Sequence, residues 1–298
     1  MQISANGIHL EVEDHGPRDG TPLVLIRGQG SQLVHWPDAL IEGFAAEGFR
    51  VIAFDNRDTG LSQRCPSDTA PGQADAILEL IRKGGDLPKP YGIEDLAADV
   101  IGLLDAMGIA RAHIFGISMG GAILQQICLD HPDRLFSATI VMTACRPLVD
   151  RRSGDSSALA ALAESLLVNP RTREEYLQGQ VEEHANWGSP GFPMPEEEIR
   201  AMAARAYERG VDDQGMNRQV LAIAHAPDRR EDLKKVALPC MVIHGTDDTL
   251  IPLELGQEIA AHIPGSVFHA IEGMGHIITP ALSPLIVDLV TGFTKRDA

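Results

Sequence analysis

Basic side chains are in deficit in this sequence: 25 lysines and arginines stand against 42 aspartates and glutamates, a formal charge of −17. Binding a phosphate backbone needs a basic face, so no nucleic-acid partner is expected. The acidity itself reads as solubility. Long apolar runs are also missing. No stretch approaches the roughly 18 uninterrupted apolar residues of a membrane span, so no membrane partner is expected. The opening MQISANGIHLEVED lacks a basic segment followed by an apolar run, which argues against a signal peptide. Cysteine is sparse: Cys65, Cys128, Cys145 and Cys240 lie far apart with no CxxC pair. That spacing suits neither a disulfide framework nor a zinc site. Cys128, Cys145 and Cys240 sit in apolar surroundings and read as buried thiols. Internal repeats and low-complexity tracts are absent too. A cytoplasmic protein is the expectation.

What is present is a chain of 298 residues with 44% hydrophobic content, normal for a soluble globular protein. Residues 8–12 alternate apolar and polar side chains, as an early antiparallel strand does. Leu23-Val24-Leu25-Ile26 is a short continuous apolar run that ends at Gly28, the pattern of a strand buried on both faces of a parallel sheet. Residues 50–54, 112–115, 138–142, 240–243 and 267–271 repeat it. Helical spacing falls between these runs, at 37–46, 93–107, 119–129, 253–262 and 284–293. Strands alternating with helices give a mostly parallel central sheet wound by right-handed crossovers. From about Pro147 to Asp228 the rhythm breaks. No strand is expected there, and helices are expected over 156–167, 172–184, 196–210 and 217–224, with a loop at 187–193. This predicts an α/β core in two parts, 1–146 and 229–298, with a helical cap at 147–228 over the sheet's C-terminal edge. Residues 65–90, rich in Gly, Pro and Asp, read as a second irregular stretch near that edge, where open α/β sheets bind ligands.

Gly116-Ile117-Ser118-Met119-Gly120 follows a buried strand and opens a helix. In that context G-x-S-x-G marks a strained turn that lifts a serine hydroxyl clear of the backbone. The following helix aims its N-terminal N–H groups at the same spot. A serine hydroxyl is a weak nucleophile and needs a base. Among eleven histidines, His276 stands out, because Gly273-Met274-Gly275-His276 forms a loop after the last strand. His113 and His269 lie on strands and suit structural roles. His9, His15, His131, His184, His225 and His262 read as ordinary solvated residues, while His35 sits in a loop that could line the pocket. The acid that orients the imidazole is expected after residues 240–243, in His244-Gly245-Thr246-Asp247-Asp248. Asp248 is the first choice and Asp247 the close alternative. The strand ending near Met142 is followed by Thr143-Ala144-Cys145, with no carboxylate. Donors for a developing oxyanion are expected from the backbone N–H groups of Met119 and of Gln29, in the loop Arg27-Gly28-Gln29-Gly30. No metal-ligand cluster stands out.

Together these residues resemble the α/β-hydrolase superfamily over nearly the whole chain. Trp36-Pro37-Asp38, Asp55-Asn56-Arg57-Asp58-Thr59-Gly60, Pro90-Tyr91-Gly92 and Leu96-Ala97-Ala98-Asp99 are similar to the bacterial esterase group that includes the aclacinomycin methylesterases. The resemblance implies a serine esterase acting on a small-molecule ester without a cofactor, with Ser118, Asp248 and His276 as triad and Gln29 and Met119 as oxyanion donors. One departure is local: most members carry His-Gly where this chain has Arg27-Gly28. Other triad hydrolases (a lactonase, an iminopeptidase or a C–C bond hydrolase) remain alternatives, as does a non-catalytic ligand-binding receptor. An Asp nucleophile, as in dehalogenases and epoxide hydrolases of this fold, does not fit Ser118. His35, Trp187 and Phe192 are candidate substrate contacts. Leu162, Leu166, Met194 and Met216 are candidates for an apolar pocket wall or for packing between cap helices.

Overall fold

A computed structural model describes residues 1–66, 72–148, 160 and 163–295 of the chain. Eight strands form one sheet: β1 (Gln2–Ala5), β2 (Ile8–His15), β3 (Thr21–Ile26), β4 (Phe49–Phe54), β5 (Ala112–Ile117), β6 (Leu135–Val141), β7 (Cys240–Gly245) and β8 (Val267–Ile271). Their spatial order is β1-β2-β4-β3-β5-β6-β7-β8. The hairpin β1–β2 and the β2–β4 pair are antiparallel, and every later pair is parallel.

Period-two alternation explains the layers. Leu23, Leu25, Phe115, Ile117, Met241 and Ile243 face one side, where α1 (Asp38–Ala46) and α10 (Ser283–Thr294) cover them. Val24, Ile26, Ile52, Ile114, Ile140 and Val242 face the other, under α3 (Ile93–Ala106), α4 (Met119–Asp130) and α9 (Leu253–His262). Apolar side chains buried on both faces are what the continuous apolar strands require. No helix among the described residues is long and apolar enough to cross a membrane.

Two elements depart from expectation. β1 adds an edge strand that four residues of mixed character do not announce; its register, Gln2 opposite Glu11 and Ala5 opposite Ile8, is set by the hairpin. The stretch expected to be irregular at 65–90 contains a helix, α2 (Ala74–Arg82). Its buried Ala74, Ile77 and Ile81 have helical spacing, and they pack on Leu167, Val220 and Leu221. The Gly, Pro and Asp content around it masked that short stripe.

Between β6 and β7 lie α5 (Arg173–Trp187), α6 (Glu196–Arg209) and α7 (Asp213–Ala224), followed by the short α8 (Arg230–Leu233). The helix expected over 156–167 falls largely outside the described residues. Thr172 caps α5 by accepting from the Glu175 N–H while Glu175 reaches back to the Thr172 N–H at 2.7 Å, a reciprocal capping box. Polar contacts fasten α6 and α7 to the loop after β4. Arg218 is 1% exposed and donates from Nε and Nη2 to both oxygens of Asp58 at 2.8 Å. Tyr91 Oη adds a 2.7 Å bond to the same carboxylate. Arg209 Nη2 reaches Asp55 at 2.6 Å, and Asp55 also accepts from the Leu33 N–H at 2.7 Å.

Candidate active site

The C-terminal ends of β5, β7 and β8 converge on one edge. At the end of β5 the chain turns into α4 through Ser118, whose φ of 53° and ψ of −121° lie in a region L-residues rarely occupy. The turn is tight enough that side chains on its flanks would collide: a Cβ on Gly116 would meet the Gly120 carbonyl oxygen at 2.3 Å, and one on Gly120 would meet the Ile26 oxygen at 2.2 Å. The strain is held by the Ser118 N–H bonding to Val141 O at 3.0 Å and by the Gly121 and Ala122 N–H groups on Ser118 O.

His276 Nε2 lies 3.0 Å from Ser118 Oγ, and its Nδ1 lies 2.7 Å from Asp248 Oδ2. Asp248 is buried, and its Oδ1 accepts from the Leu250 and Ile251 N–H groups at 3.0 and 2.8 Å. Burial opposes its ionisation. Hydrogen bonds from His244 and His276, the field of His276 and the Ile251 N–H outweigh that, so the carboxyl is held well below the usual range. With the acceptor fixed as a carboxylate, Nδ1 carries the proton and Nε2 presents its lone pair to the serine hydroxyl. Such an array can draw a proton from a hydroxyl as it attacks a carbonyl. Asp247, the alternative acid, is turned away: its Oδ2 accepts from the Gly273 N–H at 3.0 Å and from Thr246 Oγ1.

Among the described residues, the N–H groups of Gln29 and Met119 bond to no other group. The loop that carries Gln29 presses on the serine, since a Cβ on Gly28 would sit 3.1 Å from Ser118 Cβ. The next N–H in that loop, of Gly30, is held by Gln219 Oε1 of α7 at 2.7 Å. Two cavities meet at Ser118. The larger, about 670 Å³, is lined among others by Arg27, Gln29, His35, Trp36, Trp187 and His276. The smaller, about 80 Å³, is bounded by Gln29, Ser118, Met119, Ala144, Leu250 and Ile251.

Of the expected contacts, His35 and Trp187 border the larger cavity, as do Leu166, Met194 and Met216. Phe192 does not: it packs against the core beneath α1 and α10, and its carbonyl accepts from Thr279 Oγ1 at 2.8 Å. Its loop folds back onto the sheet side because Gly191 bonds to Gly273 O. Leu162 lies outside the described residues. His184, expected to be solvated, instead borders the cavity, with Nδ1 donating to Gln180 O at 2.8 Å one helical turn back. Helical phase aims it inward, and no local motif signals that.

Two groups of residues were not legible as site residues. His244 on β7 is buried, donates from Nε2 to Ile251 O at 2.8 Å and stands 3.4 Å from Asp248 Oδ2, so the acid lies between two imidazoles. Residues 186–189 brace the loops of both Asp248 and His276. The His276 N–H donates to Trp187 O at 2.7 Å, and Thr249 Oγ1 donates to Asn186 O at 2.8 Å. Ser189 Oγ accepts from the Gly275 N–H and donates to Ile277 O, one bond on each side of His276. The Gly-Ser-Pro-Gly composition signalled a loop, but not which loop it would grip.

Residues 21–279 match the family described as alpha/beta hydrolase fold. The chain is 27% identical to rhodomycin D methylesterase of Streptomyces peucetius over 98% of its own length and 97% of the relative. It is 27% identical to 3-oxoadipate enol-lactonase 2 of Acinetobacter baylyi, covering 91% and 87% of the two chains. A thermophilic esterase from Thermogutta terrifontis has the same fold, with a TM-score of 0.73 at 24% identity over 100% of this chain and 98% of that one.

Proposed function

The chain belongs to the alpha/beta hydrolase fold family, and on that premise we propose that it hydrolyses carboxylic esters of small molecules, with Ser118 as nucleophile, His276 as general base and acid, and Asp248 as the orienting carboxylate. The observation that carries this reading is the chain of two short contacts, 3.0 Å from Ser118 Oγ to His276 Nε2 and 2.7 Å from His276 Nδ1 to Asp248. Relatives named as a methylesterase and an enol-lactonase fit the same bond cleavage.

His276 Nε2 takes the Ser118 proton as Oγ attacks the ester carbon. The negative charge that develops on the carbonyl oxygen rests against the N–H groups of Met119 and Gln29, each such donor being worth roughly a factor of 10²–10³ in rate. His276 returns the proton to the departing alcohol. Water then enters by the same route, and the acyl–serine bond is cleaved to release the acid. Asp248 keeps its charge throughout and stabilises the imidazolium. In this reading residues 147–228 are a cap that shapes the two cavities around Ser118.

Ser118→Ala is the test. Turnover of a short p-nitrophenyl ester falls to background, and a fluorophosphonate probe labels the wild type at Ser118 and leaves the variant unlabelled. Full activity in Ser118→Ala sinks the proposal.

A further inference from the structure

Polar atoms without partners collect on one wall of the larger cavity. Among the described residues seven buried side-chain nitrogen or oxygen atoms lack a hydrogen bond, and four of them, Arg27 Nε, His35 Nε2, Trp36 Nε1 and His184 Nε2, belong to residues that line this cavity. Buried polar groups are almost always satisfied, so such a concentration points to a group the protein does not itself supply.

Arg27 is the extreme case. Its side chain forms no ion pair and no hydrogen bond among the described residues, and its guanidinium lies 4.5 Å over the Trp36 ring. Burial pulls its pKa down to about 9, so the group still carries its charge at neutral pH. Arg229 is the instructive contrast. Burial lowers it too, to about 10, but its guanidinium bonds to Gln125 Oε1 and to the carbonyls of Ala144 and Pro227. Each nitrogen of the Arg229 guanidinium thus has a partner, and those of Arg27 have none among the described residues.

No carboxylate among the described residues bonds to the Arg27 side chain. His35 is held neutral, its pKa lowered to about 3 by burial and then by the charge of Arg27. His184 is lowered by burial as well. Arg205 is exposed at the rim, as are Asp38 and Glu198. Glu183 accepts from Gln180 Nε2 at 2.8 Å; burial raises its pKa, and the charge of Arg171 opposes that. In a chain of charge −17, Arg27 is thus a cation without a bonded counter-ion. It lies one residue from Gly28, which packs directly on Ser118.

We propose that Arg27 is a specificity-determining residue: the larger cavity takes a small-molecule ester that also bears a carboxylate, and the Arg27 guanidinium binds that carboxylate while Ser118 attacks the ester carbonyl. This rests on the esterase reading above. The planar fork of a guanidinium matches a carboxylate through paired N–H donors, and exclusion of water strengthens the bond.

The test compares matched acids and amides. One series is the monomethyl esters of linear dicarboxylic acids against their neutral amides; the other is the acetate esters of hydroxy acids against those of hydroxy amides. Wild-type protein favours the carboxylate member of at least one series by about tenfold to a hundredfold in kcat/KM, the range of a charge-assisted hydrogen bond. Arg27→Met collapses that ratio toward one, mainly through KM, and Arg27→Lys recovers part of it. A ratio of one for both series in the wild type overturns the proposal, as does a preference that survives Arg27→Met. Calorimetric titration of the same compounds into Ser118→Ala separates this outcome from failure of the esterase reading. An affinity for acid over amide that is lost in Ser118→Ala/Arg27→Met supports the site even when no ester is cleaved; equal affinity for acid and amide overturns it.

Discussion

Leu25, Phe115 and Ile243 on one face of the sheet, and Ile26, Ile114 and Val242 on the other, are buried in continuous apolar layers. Over the sheet's C-terminal edge the contacts change character: α6 and α7 are fastened through Arg209–Asp55, Arg218–Asp58 and the Gln219 amide. Apolar packing is tolerant of substitution and sets no unique angle between layers. A buried bidentate ion pair adds little net stability, yet it permits one geometry and is expensive to break. The sheet therefore supplies stability and a rigid edge, while the helices above it are held in a fixed pose by directional bonds. The pose matters because Gln219 holds the Gly30 N–H in the loop that carries Gln29, and Trp187 and Ser189 grip the loop that carries His276.

Substitutions in the two regions sharpen this contrast. On the sheet side the largest effect is chemical: Asp248→Asn lowers kcat/KM by about 10³–10⁴, since an amide fixes the wrong His276 tautomer. Asp247→Asn changes it only a few-fold by comparison; the reverse order in a p-nitrophenyl ester assay assigns the acid to Asp247. In the fastening, Asp58→Ala removes both carboxylate bonds from the buried Arg218 and costs about 3–5 kcal/mol in urea unfolding. Replacing both partners, as Asp58→Leu with Arg218→Met, recovers most of that loss. A single variant as stable as wild type means the ion pair does not fasten the helices.

A pH effect follows from the cavity wall. Burial holds folded His35 neutral down to about 3, against 6.5 for the free imidazole. The unfolded chain takes up that proton first as pH falls, so the stability present above pH 6.5 is lost on acidification through this window, by about 2 kcal/mol at pH 5. His113, lowered to about 4 mainly by burial, acts in the same direction. His35→Gln flattens the dependence of unfolding free energy on pH between 7 and about 5; identical slopes in variant and wild type rule out His35 as the source. Ser189→Ala weakens the hold on the His276 loop. Loss of the two bonds that bracket His276 lowers kcat by about tenfold, roughly one net hydrogen bond, with KM little changed; a change confined to KM argues against positioning of the base.

Much of the site could be read in advance because its signals are local. Gly116-Ile117-Ser118-Met119-Gly120 needs only the strand before it and the helix after it, and Gly273 to His276 needs only the last strand. The four segments that carried the family resemblance have a physical explanation beyond recognition. Asp55 and Asp58 anchor Arg209 and Arg218; Tyr91 bonds to Asp58; Arg57 pairs with Asp99 at 2.6 Å; Trp36 lies beneath Arg27. Of those contacts, Asp55, Asp58 and Tyr91 belong to the fastening between the sheet edge and the helices above it. Phe192 and His184 were misplaced for one reason: the inward direction of a side chain in the 173–224 segment depends on how its helices dock, and no periodic core signal fixes that.

By itself the sequence determined the alternation of strands and helices, the serine on its turn, the loops of Asp248 and His276 after the last two strands, and the break in rhythm between β6 and β7, because each depends on a few neighbours along the chain. Only the tertiary structure decided that His244 flanks Asp248, that residues 186–189 grip both site loops, and that Arg27 faces a cavity with no bonded counter-ion among the described residues. The grip of residues 186–189 joins positions almost ninety apart, as in the Ser189–Ile277 bond. Burial and the absence of a partner are properties of the packed molecule and leave no mark on the local sequence.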